Sequence, residues 1–107
     1  MTPTELTRAE LPTEFALEEF AEITEVIRRP RSLTAEAVTT TSIIELYPPL
    51  ARSVLDAGFE ILASENEGFE AEIFFASKRR TGAYRLREGP CEGLVTIRLL
   101  YGKRTGQ

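Results

Sequence analysis

Residues 48–75, PPLARSVLDAGFEILASENEGFEAEIFF, contain the change of apolar periodicity that decides the fold. Pro48 and Pro49 can open a helix, because the first helical positions have no use for a backbone N–H. Apolar residues then recur at helical spacing up to Gly58, where a left-handed residue would end the helix. An alternating run begins at Phe59, so the period changes from 3.6 to 2. The stretch therefore predicts a helix followed directly by a β-strand.

Four runs of β-type sequence follow one another from residue 59 to residue 101, and glycine-rich or polar linkers join them. The runs are Phe59–Ser64, Phe69–Ala76, Ala83–Glu88 and Leu94–Tyr101. Short linkers between consecutive strands favour antiparallel pairing of neighbours. The C-terminal half is therefore predicted to form a four-stranded antiparallel meander.

The register of this meander follows from its apolar face, because a one-residue slip would turn every apolar side chain outward. We expect Ile61 to pair with Ala71, which sets Glu60 opposite Glu72 on the outer face. The next hairpin should place Arg87 beside Glu72, where it neutralises the facing glutamates. The side chains expected to line the core face are Phe59, Ile61, Ile73, Phe75, Leu86 and Ile97.

The N-terminal half shows helical patterns. Residues 1–12 have no sustained pattern and are interpreted as a tail or extended arm. Thr13 is a candidate N-cap for a helix whose apolar stripe runs to Ile27 and which Pro30 ends. Residues 32–38, SLTAEAV, predict a second, short helix with a Ser or Thr cap.

Residues 39–47, TTTSIIELY, fit two different structures. Three threonines and two isoleucines favour a strand, because β-branched side chains suit the pleated surface. Ser42 with Glu45 instead resembles a capping box at the start of a helix that runs into Pro48. The two alternatives lead to different folds, and the residues leave both open.

Together these elements predict an α+β domain in which N-terminal helices pack on one face of a four-stranded antiparallel β-meander. The domain is expected to span residues 13–102, between the arm at 1–12 and a basic C-terminal tail at 103–107. A chain of 107 residues supports one domain of this kind.

Composition points to a cytoplasmic protein without membrane contact. No run approaches the ~18 uninterrupted apolar residues that a spanning helix needs. The first 15 residues contain acidic side chains and no apolar stretch typical of a secretory signal. The single cysteine, Cys91, cannot form an internal disulfide, which fits a reducing compartment.

The census of residue types argues against an enzyme. The chain has no histidine, which removes the commonest general base and the commonest zinc ligand. A carboxylate pair such as Glu60 with Glu72 is more often ordinary sheet surface than a catalytic dyad. No catalytic, cofactor or metal-binding motif is recognised. We expect a non-enzymatic protein without cofactor or metal.

Charge is distributed unevenly along the chain. Residues 1–77 hold 15 acidic and five basic residues, whereas residues 78–107 hold two acidic and eight basic ones. An up-and-down meander would bring the start of its third strand and the end of its fourth to one end of the sheet. The five basic residues that would gather there are Lys78, Arg79, Arg80, Lys103 and Arg104.

These five residues are the candidate partner-binding site. A cluster of like charges without local acidic partners is suited to an anionic partner. We expect that partner to be an acidic protein surface or a second copy of the chain. Nucleic acid is the less favoured partner, because the sequence pI is about 4.9 and the basic region offers no outward stacking aromatics.

One resemblance supports a different function. The run SLTAEAV followed by LYPPLARSVLDAGFEIL resembles the outline of winged-helix repressors. That resemblance implies a DNA-binding regulator with its recognition helix within Ile43–Leu55 and its wing tip at Glu65–Gly68. The wing tip is acidic where phosphate contacts would be wanted, and Pro48 would interrupt the recognition helix. We therefore keep DNA binding as the alternative to a protein-interaction module.

Overall fold

The computed structural model describes residues 17–89 and 93–103 of the chain. These residues form a short 3-10 turn, six strands and one α-helix, α1, which spans Ile43–Asp56. The strands are β1 (Glu22–Arg28), β2 (Ser32–Thr39), β3 (Glu60–Asn66), β4 (Glu70–Ala76), β5 (Arg80–Glu88) and β6 (Val95–Lys103).

All six strands belong to one antiparallel sheet with the order β1-β2-β6-β5-β4-β3. The hairpin β1–β2 joins the sheet through β6, where β2 pairs from Ser32 opposite Gly102 to Thr39 opposite Val95. Helix α1 lies against β3, β4 and β5 on one face of the sheet. The predicted fold class is therefore wrong, because a single helix packs on a six-stranded sheet and two predicted helical segments are strands.

The first of these segments is β1, where a helix from Thr13 to Pro30 was expected. A bulge explains the misleading pattern. Ile23 pairs with Ala37 and Val26 pairs with Ala35, so three residues of β1 span two residues of β2. An extra residue of this kind puts positions i and i+3 on one face of a strand, which imitates helical spacing. Residues 13–16 lie outside the described residues.

The second segment is β2, where a short helix was expected. Its side chains alternate, and Leu33, Ala35 and Ala37 are buried while the residues between them are more exposed. Leu, Ala and Glu are good helix formers, but β2 has a pairing partner on both sides, and tertiary context overrides so weak a preference. The helix pair that a winged helix requires is therefore not formed by residues 22–39.

The open question at residues 39–47 is resolved in favour of the capping box. Helix α1 begins at Ile43, and the side chain of Ser42 accepts a hydrogen bond of 3.3 Å from the Glu45 N–H. The helix thus begins five residues before Pro48, where the sequence alone suggested a start. At the other end Gly58 adopts a φ of +92°, which confirms the predicted left-handed residue.

The two prolines lie inside α1 and are exposed to solvent. Each lacks the N–H that would bond to the carbonyl four residues earlier, at Ile44 or Glu45. Both of those residues are exposed, and Ile44 retains 66% of its accessible surface. Water can therefore satisfy the freed carbonyls, and the opposite side of the helix stays available for the core.

The predicted register of the meander is also wrong. Ile61 pairs with Phe75 rather than Ala71, and Glu60 pairs with Ala76 rather than Glu72. The β3–β4 turn lies further along the chain than expected, with a φ of +89° at Gly68. At Ile61 the register is displaced by four residues, an even number, so Ile61 still faces the core side. A bulge between Ile61 and Ala63 then pairs Ala63 with Phe74, on the opposite face.

The next hairpin is displaced by two residues, in the opposite direction. Arg87 pairs with Glu70, and Arg85 is the residue that pairs with Glu72. Glu60 and Glu72 therefore do not face each other across β3 and β4.

The core lies between α1 and the sheet face that it covers. Phe59 follows the helix and packs edge-on against Phe75, with ring centroids 5.1 Å apart. Of the six predicted core residues five are buried, and Ile61 is half-buried. Phe69 was expected in a strand and is instead exposed in the β3–β4 turn. The largest fully buried side chains also include Tyr84, Leu17, Ile43, Leu46, Leu50, Leu86, Ile97 and Leu99.

Candidate functional site

Three separate segments bring cations to one end of the sheet, which we call the basic end. Arg80 at the start of β5 pairs directly with Lys103 at the end of β6. The Lys103 N–H donates a hydrogen bond of 3.0 Å to the carbonyl of Arg31, in the β1–β2 turn. The cations of the basic end are Arg28, Arg29, Arg31, Lys78, Arg79, Arg80 and Lys103.

The turn before β5 holds two of these cations in place. The Ser77 N–H donates a bond of 2.8 Å to the carbonyl of Arg80, and the Arg80 N–H donates one of 3.2 Å to Ser77 Oγ. Lys78 and Arg79 lie at the tip of the turn and are exposed. Because these bonds close the turn, the backbone of Lys78 and Arg79 is held at a defined position beside β5.

The β1–β2 turn is closed in the same manner. The Arg29 N–H donates a bond of 2.8 Å to the carbonyl of Ser32. Arg29 and Arg31 are both exposed on this turn. Sequence reasoning missed them as part of the cluster, because it assigned residues 13–29 to a helix far from β6. The β-branched content of residues 23–27 was the signal that could have identified the strand.

Within residues 17–89 and 93–103, six cations of the basic end form no ion pair with a carboxylate. These six are Arg29, Arg31, Lys78, Arg79, Arg80 and Lys103. Like charges repel, although water and salt both weaken the repulsion between exposed side chains. The basic end is therefore a concentration of positive charge on a chain whose formal net charge is −4.

An open depression of about 640 Å³ lies beside the tip of the β4–β5 turn. Lys78 and Arg79 form one side of it, and Gly58 and Leu62 contribute to its lining. Glu60 also reaches the depression but forms no ion pair among the described residues. The site thus offers a partner both cations and a recess next to them.

Four of the five residues predicted from the sequence are brought to this end, namely Lys78, Arg79, Arg80 and Lys103. Lys103 is the last residue of β6 rather than the first of a tail. Arg104 lies outside the described residues. That these residues bind a partner stays a prediction.

Two kinds of feature are absent from the described residues. In the described part of the chain, no three residues of metal-ligating type are close enough to share an ion. No helix formed by residues 17–89 or 93–103 is long and apolar enough to cross a membrane.

Comparison with known proteins supplies no relative from which a role could be transferred. The chain matches no family model, no curated protein and no solved structure. Any functional argument therefore depends on the geometry and charge of the basic end.

Proposed function

We propose that this protein is a non-enzymatic interaction module whose basic end binds an acidic surface of a partner protein. The observation that carries the proposal is the set of six cations without a carboxylate partner in the described chain. Exposed turns hold four of them, so they can approach an anionic surface without rearrangement of the core.

The arginines elsewhere in the sheet show that this chain can neutralise its own cations. Arg85 pairs with Glu72 at 2.8 Å, Arg98 pairs with Glu36 at 3.1 Å, and Arg87 contacts Glu70 at 3.4 Å. Each of these glutamates lies directly across from its arginine on the neighbouring strand. The six cations of the basic end listed above have no such neighbours among the described residues. This contrast favours an external anionic partner.

A protein partner agrees better with the site than nucleic acid does. The depression beside Lys78 and Arg79 is lined by Glu60, whose carboxylate would repel phosphates. A folded acidic surface can place its carboxylates near the cations and avoid Glu60, which evenly spaced phosphates cannot do as readily. The experiment must therefore distinguish binding to a carboxylate-bearing protein surface from binding to a phosphate backbone.

The proposal is tested by binding of the full chain to immobilised poly-L-glutamate, with duplex DNA as the second probe. We expect salt-sensitive binding to poly-L-glutamate. Replacement of Lys78, Arg79 and Lys103 by alanine should weaken it roughly tenfold, since three exposed contacts at about 0.5 kcal/mol each amount to about 1.5 kcal/mol.

The matched control replaces Arg85, Arg87 and Arg98 by glutamine, which changes the net charge by the same amount. This control should retain binding, because its cations are engaged by glutamates in the sheet. Equal losses in both variants would show that only net charge matters and would overturn the proposal. Tighter binding to duplex DNA than to poly-L-glutamate at equal salt would overturn it as well.

A further inference from the structure

The face of the sheet opposite α1, the outer face, carries an apolar row that crosses all six strands. Pairing places Ile27 beside Thr34, Thr34 beside Leu100, and Leu100 beside Ala83. The row then continues through Phe74 to Ala63. Its three large side chains, Ile27, Phe74 and Leu100, retain 38%, 40% and 42% of their accessible surface. A solvated sheet face normally carries polar residues at these positions.

A charged row runs parallel to the apolar row on the same face. From β1 to β3 its residues are Glu25, Glu36, Arg98, Arg85, Glu72 and Glu65. The order of charges is the same when it is read from either edge of the sheet. This symmetry restricts how a second sheet can lie on the face.

The row on the other side of the apolar row consists of small residues between β2 and β4. These are Ser32, Gly102, Thr81 and Ala76, each paired with the next. Gly102 has no room for a side chain, because a Cβ there would lie 2.7 Å from the carbonyl oxygen of Arg31. A shallow depression of about 430 Å³ results, and its lining includes Leu100, Phe74 and Arg31.

We infer that the outer face is the interface of a homodimer in which two sheets pack face to face about a two-fold axis along the apolar row. This operation places the apolar row of one copy on that of the other. It also places the charged row over the small residues, so long side chains meet the depression around Gly102. The inference does not depend on the proposed function.

Charge selects this axis over the alternative. A two-fold axis parallel to the strands would place the charged row of one copy over the charged row of the other, in reverse order. Glu25 would then face Glu65, Glu36 would face Glu72, and Arg98 would face Arg85 of the other copy. Opposed like charges are destabilising, so this arrangement is disfavoured.

The axis along the apolar row produces an attractive contact instead. Glu36 of one copy then lies over Ser32 of the other, next to Arg31. Arg31 is exposed, lines the depression and forms no ion pair among the described residues. Because the dimer is symmetric, this contact occurs twice.

The size of the face is adequate for a dimer of moderate affinity. The face is six strands wide, at about 4.8 Å per strand, and about seven residues long, at about 3.3 Å per residue. Its area is therefore roughly 650 Å². Specific interfaces of standard size bury about 800 Å² per partner. Strand alternation puts Arg80 and Lys103 at positions that face the α1 side, so the dimer interface and the basic end overlap only at the β1–β2 turn, which carries Arg29 and Arg31.

The oligomeric state of the full chain tests the inference. Light scattering coupled to size exclusion should give twice the 12.0 kDa of one chain. Leu100→Lys should raise the dimer dissociation constant on the order of a hundredfold, because an apolar contact is lost and two lysines face each other. The matched control Ile44→Lys changes an equally apolar exposed residue on α1 and should leave the dimer intact. If the wild-type protein is monomeric over the accessible concentration range, the inference is wrong, even if a different molecule covers the apolar row.

Two further variants test the axis. Arg31→Glu should weaken the dimer, whereas Lys103→Glu, at the same end of the sheet but at a position that faces the α1 side, should leave it unchanged. Thr34→Cys in a Cys91→Ser background should cross-link to itself with a short bismaleimide, since the proposed axis places Thr34 over Thr34 of the second copy. The strand-parallel axis places Thr34 over Phe74, so a dimer without this cross-link would contradict the proposed arrangement.

Discussion

Two sets of cations occupy the same sheet, and their surroundings differ. On the outer face Arg85, Arg87 and Arg98 each contact a glutamate on a neighbouring strand. At the basic end, six cations have no carboxylate partner among the described residues. The difference follows from position in the strand. A residue in the middle of a strand has fixed cross-strand neighbours that can be complementary, whereas a residue at the tip of a turn has none. At the strand ends, Arg80 has another cation, Lys103, as its neighbour.

One sheet can thus carry two kinds of cation, those paired with carboxylates of the same chain and those available to a partner. Cross-strand pairs of the outer face neutralise charge locally and leave little for a partner. The basic end keeps its field and can attract an anionic surface. Substitutions in the two regions should therefore affect different properties.

The largest effect is expected at Gly82, which lies in β5 between Arg80 of the basic end and Arg85 of the outer face. A Cβ on this glycine would lie 2.5 Å from Phe75 Cζ and 2.7 Å from the carbonyl oxygen of Leu100. Gly82→Ala should lower the free energy of unfolding by about 1–3 kcal/mol through overpacking. Urea denaturation measures the change.

Gly89→Ala is the control for this prediction, because the nearest atom to its added Cβ is 3.6 Å away. Its stability should stay within about 0.5 kcal/mol of the wild type. If Gly82→Ala were as stable as Gly89→Ala, β5 would not be held as closely to its neighbours as the structure shows.

A smaller effect is expected from the ion pair between Arg85 and Glu72. A double-mutant cycle to alanine should yield a coupling free energy of about 0.5–1 kcal/mol, because the side chains retain 42% and 22% of their accessible surface. High salt should reduce this coupling. The same cycle for Arg79 with Glu60 should show no coupling. Equal coupling free energies for the two pairs would show that Arg79 of the basic end is neutralised within the chain to the same extent as Arg85 of the outer face.

The smallest effect on stability is expected at the basic end. Replacement of Lys78, Arg79 and Lys103 by alanine should change the free energy of unfolding by no more than about 0.5 kcal/mol. At low salt the sign should be stabilising, because mutual repulsion is relieved, and added salt should diminish the gain. Thermal unfolding at two salt concentrations measures both. A marked loss of stability would mean that the cations support the fold rather than a partner.

Much of the C-terminal half could be predicted from its residues alone. The alternation from Phe59 to Tyr101 identified four strands and, apart from the bulged end of β3, the face that each presents to the core. Gly58 was identified as the left-handed residue after the helix, and its φ is positive. These features are local, because side-chain direction in a strand depends only on the alternation of neighbouring residues.

The N-terminal half could not be predicted in the same way. The bulge in β1 displaces its apolar residues into helical spacing, and the alternation in β2 is made by alanines that also favour a helix. Both strands owe their conformation to pairing, β1 with β2 and β2 with β6. The β-branched content of residues 23–27 was the only local signal in residues 22–39 that favoured strands.

In the regular stretches of β4, β5 and β6 the sequence by itself determined which side chains face the core, because that choice depends on a period of two residues. Only the tertiary structure decided the register, since a shift of two residues leaves every face unchanged and turn geometry selects among the options. Register in turn decided that Arg85, rather than Arg87, faces Glu72. The same tertiary pairing brought Arg31, Lys103 and Arg80 together at the basic end, although long stretches of chain separate them.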